Sequence, residues 1–298
     1  MVKVMVPATT ANLGPGFDTV GAALTLYNRF EFTPASAWGV TLQGCEARHL
    51  QLEPEDNLVH RAFYRLYAEI AQTPPPMQLT IDMGIPFGSG LGSSATAIVG
   101  GLVGANHCEG QPLGLRELIK LAIEIEGHPD NVVPALLGGC QLALPEEEDW
   151  YIADIPWYPA FIPVIATPDF AVSTEAARGI LPPVLSMKDA VFNVAHFGLL
   201  VRALETGRED WLRVALKDKM HQSHRSGLIQ GYRELYDAAL GAGAYGLVIS
   251  GAGPSLLAIA HADEANAVAA TMEATWRELG INPKVRILSI DTVGARVV

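Results

Sequence analysis

The stretch PFGSGLGSSAT, Pro86 to Thr96, places glycines at every second position from Gly88 to Gly92 and joins two segments of different periodicity. Upstream, MQLTIDMGI alternates apolar Met77, Leu79, Ile81, Met83 and Ile85 with polar Gln78, Thr80 and Asp82, the pattern of a half-buried strand. Downstream, ATAIVGGLVGAN is apolar nearly all round and predicts a buried helix, with Ser93 or Ser94 at its start in the capping position. A strand that passes through a glycine loop into a helix start brings successive N–H groups together at the positive end of a dipole. That arrangement cradles a phosphate. A tight turn without a ligand is the competing reading of a bare GxGxG. The loop lacks the GK[ST] ending of a Walker A site, and no acidic residue follows about twenty positions on at the end of a second strand. A P-loop and a dinucleotide fold are therefore both excluded.

The chain has 298 residues, 49% hydrophobic and 17% charged, enough to bury a sizeable core and, by length, two domains. A formal net charge of -12 repels nucleic acid and anionic membrane surfaces, so neither is expected as a partner. Cys45, Cys108 and Cys140 form no CxxC pair and are read as three buried thiols in a reducing compartment. The start MVKVMVPATTAN has no long apolar run, and no stretch approaches the roughly 18 apolar residues of a spanning helix. The expected location is the cytoplasm. PEEEDWYIADIPWYP, near residues 145–160, is acidic, aromatic and proline-marked, as suits an exposed connection between folded units. Expected domains are 1–155 and 156–298. The apolar balance, a mean hydropathy of +0.22, allows a homodimer.

Two more segments belong beside the glycine loop. PATTANLGPGFDTVG carries Asn12 and Asp18 on either side of a Gly14-Pro15-Gly16 turn, and SGAGPSLLAIA from Ser250 follows the apolar run GLVI. In this order and spacing the three resemble the signature segments of the GHMP kinases, the family of galactokinase, homoserine kinase and mevalonate kinase. TANLGPGFD and EIEGHPDNVVPALLGG, Glu124 to Gly139, resemble the homoserine-kinase branch in particular. The resemblance covers essentially the whole chain. It implies an α+β fold of two domains, the N-terminal one like ribosomal protein S5 domain 2 and the C-terminal one ferredoxin-like. FIPVIAT, KDAVFNVAHFGLLVRAL, YGLVI, SLLAIA, DEANAVAATMEATWREL and VRILSI can supply the β-α-β-β-α-β order of the latter. The implied reaction transfers the γ-phosphoryl of ATP to the side-chain hydroxyl of L-homoserine, with Mg²⁺ as cofactor, in a site between the domains.

The resemblance also distributes roles. Pro86, Phe87, Gly88, Ser89, Gly90, Leu91, Gly92, Ser93, Ser94, Ala95 and Thr96 would wrap ATP, with the Ser94 hydroxyl reaching Mg²⁺ as well. A valine at Gly90 is expected to abolish turnover and leave most of the fold intact. The second metal ligand should be a glutamate of LRELIKLAIEIEG. Glu117, Lys120 and Glu124 share one face, whereas Glu126 falls between Ile119 and Ala122 on the buried side, where a carboxylate needs a partner. Glu126 is ranked ahead of Glu124, and helix fraying leaves Glu124 as the alternative. Asn12, Asp18, His128, Asn131, Thr174, Arg178 and Arg225 would bind the amino acid, with Asp18 and Asn131 also at the chemistry. Homoserine carries an ammonium, which suits Asp18, and a carboxylate, which suits the forks of Arg178 and Arg225. Thr174 and Arg178 are neighbours if their stretch is helical. Mevalonate-type relatives have an aspartate near the place of Asn131, and an amide accepts no proton at neutral pH, so the base stays unassigned, with Asp130 as rival. Asn57 is a candidate adenine contact or a plain helix cap. Rival functions are a mevalonate-type or sugar kinase of the same fold and a non-catalytic ATP-fold regulator.

Overall fold

The computed structural model describes residues 1–44, 57–147 and 149–298. In chain order its elements begin β1 (Val2–Ala11), β2 (Val20–Pro34), β3 (Gly39–Gly44), α1 (Leu58–Glu69) and β4 (Met77–Met83). Three helices follow, α2 (Ser93–Cys108), α3 (Leu115–Glu126) and α4 (Pro129–Leu137), then the hairpin β5 (Cys140–Glu146) and β6 (Asp149–Ile155). The remainder comprises β7 (Phe161–Thr167), α5 (Thr174–Gly179), α6 (Met187–Thr206), α7 (Glu209–Ala215), α8 (Gln222–Arg225), α9 (Tyr232–Gly241), β8 (Gly246–Ile249), β9 (Leu256–His261), α10 (Ala265–Glu278), β10 (Lys284–Ile287) and β11 (Arg296–Val297).

Two sheets carry these elements. The first runs β11-β1-β2-β4-β3, with β5 also on β2 and β6 on β5. Its β3–β4 pair is parallel and its other pairs antiparallel. The alternation read from β4 holds: Met77, Leu79, Ile81 and Met83 are buried and join Phe30, Phe32 and α2 in one core. The helix expected after the loop is α2, buried along most of its length. The second sheet has the order β10-β7-β9-β8, all antiparallel, which is the ferredoxin-like arrangement expected of these strands. Helices α9 and α10 cover it through a core centred on Trp276, Met272 and Leu235. A third cluster joins the halves: Leu13, Ile85 and Leu91 from the first meet Ile165, Leu200, Leu216 and Leu257 from the second. The chain end returns to the first sheet, where Asp291 N donates to the Ala23 carbonyl at 3.0 Å and β11 pairs with β1.

Three expectations need correction. Pro145, Glu146 and residues 149–155 are no loose connection but the end of β5 and the whole of β6, in register from Glu146↔Asp149 to Cys140↔Ile155. Trp150 and Ile152 turn toward the first core while Tyr151 faces out, so the aromatic and aliphatic residues read as linker composition are strand alternation. Cys108 is only half-buried, because it ends α2, whereas Cys140 is buried; Cys45 lies outside the described residues. Finally, neither Ser93 nor Ser94 caps α2. Gly92 holds the cap position in the left-handed region, with φ 66°, and Ser93 is the first helical residue. Among the described residues no helix is long and apolar enough to cross a membrane.

Candidate active site

The three glycine segments converge on one cleft of about 470 Å³. Strand β1 brings Thr9 against the loop, its N–H donating to the Leu91 carbonyl at 3.1 Å. From the other half, Ser250 Oγ donates to the Gly90 carbonyl (2.7 Å) and Ser255 N to the Ser89 carbonyl (3.1 Å). Gly251 closes the triangle, its N–H on the Ala11 carbonyl at 3.2 Å and its own carbonyl accepting from Asn12 Nδ2 at 2.9 Å. This braid explains why side chains are excluded. A Cβ at Gly90, φ +79°, would stand 2.5 Å from the Ser250 carbonyl oxygen; one at Gly92 would stand 2.0 Å from Thr9 Oγ1. The protein's own strands and loops occupy those spaces.

Phe87, Gly88, Ser89, Gly90, Gly92, Ser93 and Ser94 line the cleft. Pro86, Leu91, Ala95 and Thr96 do not: Leu91 and Ala95 are fully buried core, the Pro86 carbonyl accepts from Ser89 Oγ, and Thr96 is tied to Asn28 and the Ser93 carbonyl. Asn57 also lies away from it, its Oδ1 accepting from Val59 N at 2.9 Å as the N-cap of α1.

At the helix start, Ser94 Oγ donates to Glu126 Oε1 at 2.6 Å. Burial raises the Glu126 pKa, against the lowering effects of the Ser94 hydrogen bond and the charge of His128. Glu124 points elsewhere and meets exposed Arg65 at 3.2 Å. Beyond Glu126 the chain turns into α4, where His128 Nδ1 lies 2.5 Å from Asp130 Oδ1. Burial opposes a charged His128, but the hydrogen bond to Asp130 and the carboxylates of Asp130 and Glu126 outweigh it and its pKa is raised. Asn131 is fixed by Thr9, whose hydroxyl donates to Asn131 Oδ1 at 2.8 Å, and its Nδ2 donates to Asp130 Oδ1 at 3.2 Å.

The far end of the cleft holds the charges. Asn12, Leu13 and Asp18 all have positive φ without being glycine, a cluster of strained backbone around the Gly-Pro-Gly turn. Asn12 Oδ1 accepts from Asp18 N at 3.0 Å. Asp18 is bound by Arg178 through both terminal nitrogens, and Thr174 stands four residues before Arg178 on α5 as the spacing predicts. Arg225 is 2% exposed, with Nε on the Ala177 carbonyl (3.0 Å) and Nη1 on the Gly251 carbonyl (3.1 Å). Among the described residues no carboxylate lies within salt-bridge distance of it. The ring of Phe17 lies under both guanidinium groups, 5.1 Å from Arg225 and 5.7 Å from Arg178.

Asn12, Asp18, His128, Asn131, Thr174, Arg178 and Arg225, scattered over 214 positions of chain, thus share the cleft with Ser94 and Glu126. Sequence reasoning passed over Thr9, Phe17, Ser173 and the wall Gly251–Gly253. Thr9, Phe17 and the glycines sit inside the motifs that were recognised, and only their contacts single them out.

The family model for the GHMP kinases N terminal domain matches residues 57–139, and that for the GHMP kinases C terminal matches residues 200–278. The chain belongs to the GHMP kinases. Within this family it is 55% identical to a homoserine kinase of Microchaete diplosiphon, over 99% of this chain and 96% of that protein. It is equally 55% identical to a homoserine kinase of Crocosphaera subtropica, over 99% of this chain and 97% of that one. Among solved structures, homoserine kinase from Cytophaga hutchinsonii superposes with a TM-score of 0.90 at 28% identity, covering 100% of this chain and 97% of that one. A mevalonate kinase, at 13% identity and TM-score 0.72 over 98% of this chain and 100% of its own, shares the fold alone. The α+β GHMP kinase fold expected from the sequence is borne out.

Proposed function

We propose that this GHMP kinase phosphorylates the side-chain hydroxyl of L-homoserine, taking the γ-phosphoryl of ATP. The observation that carries the substrate is Arg225, a guanidinium withdrawn from water whose hydrogen-bond partners are the Ala177 and Gly251 carbonyls and the imidazole of His221. A buried cation with no counter-ion of its own calls for an anionic ligand group. With Arg178 and Asp18 alongside, the site offers two guanidinium groups for a carboxylate, which mevalonate also carries, and one carboxylate for an ammonium, which mevalonate and sugars lack and a zwitterionic amino acid supplies. The full-length likeness to homoserine kinases supports the same reading.

At the other end, the N–H groups of Gly88 to Ser94 receive the triphosphate at the start of α2. Ser94 and Glu126 suit a divalent cation: both are hard oxygen donors, 2.6 Å apart, and Glu126 is a carboxylate whose burial a cation would relieve. Among the described residues no cluster of three acidic, histidine or cysteine side chains competes for a metal, so phosphate oxygens and water would complete the shell. Mg²⁺ bound there would neutralise charge on the transferring phosphoryl. Asn131, its amide locked by Thr9, orients the hydroxyl and accepts no proton. Asp130 Oδ1 is engaged by His128 and Asn131, and the phosphoryl oxygens themselves would take the proton late in a loose transition state, with no side chain assigned as base. ATP and unpaired cysteines suit a cytoplasmic setting.

The test is ATP turnover with homoserine, mevalonate or galactose. Turnover specific to homoserine is expected, and Arg225→Ala should raise the homoserine KM by roughly thirty-fold or more, since breaking a buried charge pair costs about 2–5 kcal/mol. ATP consumption that is indifferent to homoserine would reject the assignment.

A further inference from the structure

His221 is the only histidine side chain among the described residues with no exposed surface, and it lies outside the groups that any step above uses. Its Nε2 sits 2.8 Å from the carbonyl oxygen of Gly14. A carbonyl only accepts, so Nε2 carries the hydrogen. Burial pushes the His221 pKa down, against the pull of Asp218 3.7 Å from Nε2, and so favours the neutral ring. Nδ1 then presents a lone pair, and it faces Arg225 Nη1 at 3.4 Å. Gly14 opens the turn that carries Phe17 and Asp18, and the Phe17 ring packs 5.2 Å from the imidazole while also lying under Arg225.

We propose that His221 is a positioning residue for the amino-acid carboxylate: it grips the Gly14 carbonyl with Nε2–H and accepts from Arg225 with Nδ1. The guanidinium is thereby held at three points, the Ala177 carbonyl on Nε, and the Gly251 carbonyl and His221 on Nη1. Held in this way, Arg225 lines the cleft. One imidazole thus couples the turn bearing Asp18 to the arginine opposite it, so the two ends of a zwitterion are spaced by a single rigid group. The helix start that supports His221 is itself braced, since Asp218 accepts from the backbone N–H groups of Met220, His221 and Gln222.

The inference rests on the homoserine reading, and wild-type turnover of homoserine in the same assay tests that reading separately. His221→Leu should raise the homoserine KM about tenfold, the scale of one lost hydrogen bond and a loosened guanidinium, and move the ATP KM less than about twofold. His221→Asn, whose amide oxygen can stand in for Nδ1, should recover most of that loss and guards against a merely misfolded leucine variant. In an Arg225→Ala background, His221→Leu should cost clearly less than it does alone, because the guanidinium it positions is gone and only its grip on the Gly14 turn remains. Equal shifts in both KM values, no rescue by asparagine, or losses that multiply in the double variant would each overturn the role, with wild-type homoserine turnover intact. Absence of that turnover would instead overturn the substrate reading and this inference with it.

Discussion

Both terminal nitrogens of Arg178 close on the Asp18 carboxylate, at 2.9 and 2.8 Å, across 160 residues of chain. The sequence logic sends these two side chains to opposite ends of a zwitterion, Asp18 to the ammonium and Arg178 to the carboxylate. Without a ligand they satisfy each other. On the proposed reading, amino-acid binding would exchange this internal pair for two ligand pairs.

That exchange makes the two residues interdependent. Both are more than a third exposed or nearly so, so the pair itself adds at most about 1 kcal/mol to stability. Asp18→Asn and Arg178→Ala should leave the melting temperature nearly unchanged and each raise the homoserine KM at least tenfold. The double variant should lose less than the product of the two single losses, because each single change strands the other partner. Steady-state kinetics beside thermal melts would check this; a large drop in melting temperature would make the pair structural instead.

Glu126 and Glu124 stand two residues apart on α3 with different partners, Ser94 at the cleft and Arg65 outside it. Glu126→Gln should raise the Mg²⁺ concentration needed for half-maximal rate and lower kcat by about a hundredfold or more, whereas Glu124→Gln should change either by less than twofold. A Mg²⁺ titration of both variants decides the ligand, and the reverse ranking would move it to the outer face.

The expectation that a valine at Gly90 spares the fold is corrected by the braid of loops. Its Cβ would collide with the carbonyl oxygens of Ser250 and Gly253, backbone atoms that cannot step aside. Gly90→Val should cost more than about 3 kcal/mol, as overpacking adds to the left-handed backbone penalty. At Gly88, φ +63°, the nearest foreign atom to an added Cβ is Ala171 Cβ at 3.6 Å, so Gly88→Ala should cost only the backbone term of about 1–2 kcal/mol. Urea unfolding of the two variants would show the gap, and equal losses would mean the loops part easily.

Strong local patterns made much of this legible in the sequence. The alternation of β4 and the nearly all-round apolar character of α2 each follow from one short segment, and each stands in the structure as read, whereas Glu126, expected on the buried side, is half-buried at the cleft. The β5–β6 hairpin was misread because acidic and proline residues dominate the stretch, while its pairing with β2 depends on strand β5 lying in reach, which composition does not encode. Within the site, the resemblance placed Arg225 at the amino acid, but its burial was not legible, since its environment comes from Ala177 and Gly251, distant in sequence. His221 carried no signal at all: a histidine in HQSHR acquires its meaning only when Gly14 packs against it from the other end of the chain.

The same burial gives His221 a signature in the pH dependence of stability. Its folded pKa is depressed by desolvation, with Asp218 and the Gly14 carbonyl pulling the other way and Arg225 pushing down. Below the unfolded value near 6.5 the unfolded chain takes up a proton that the folded chain refuses, so stability falls as pH drops through about 6.5, by at most about 1.4 kcal/mol per pH unit. His128 acts in the opposite sense: its folded pKa is raised, so its contribution is present below about 6.5 and is lost as pH rises through the folded value. Asp218, whose pKa is lowered although burial resists this, contributes above about 3.9 and weakens only in stronger acid. The difference between wild type and His221→Gln separates these groups. Between pH 7 and pH 5 the variant should lose less stability than wild type, by about 1–2 kcal/mol. Parallel curves between pH 7 and pH 5 would mean that His221 takes up its proton in the folded protein, and the neutral ring that faces Arg225 would have to be abandoned.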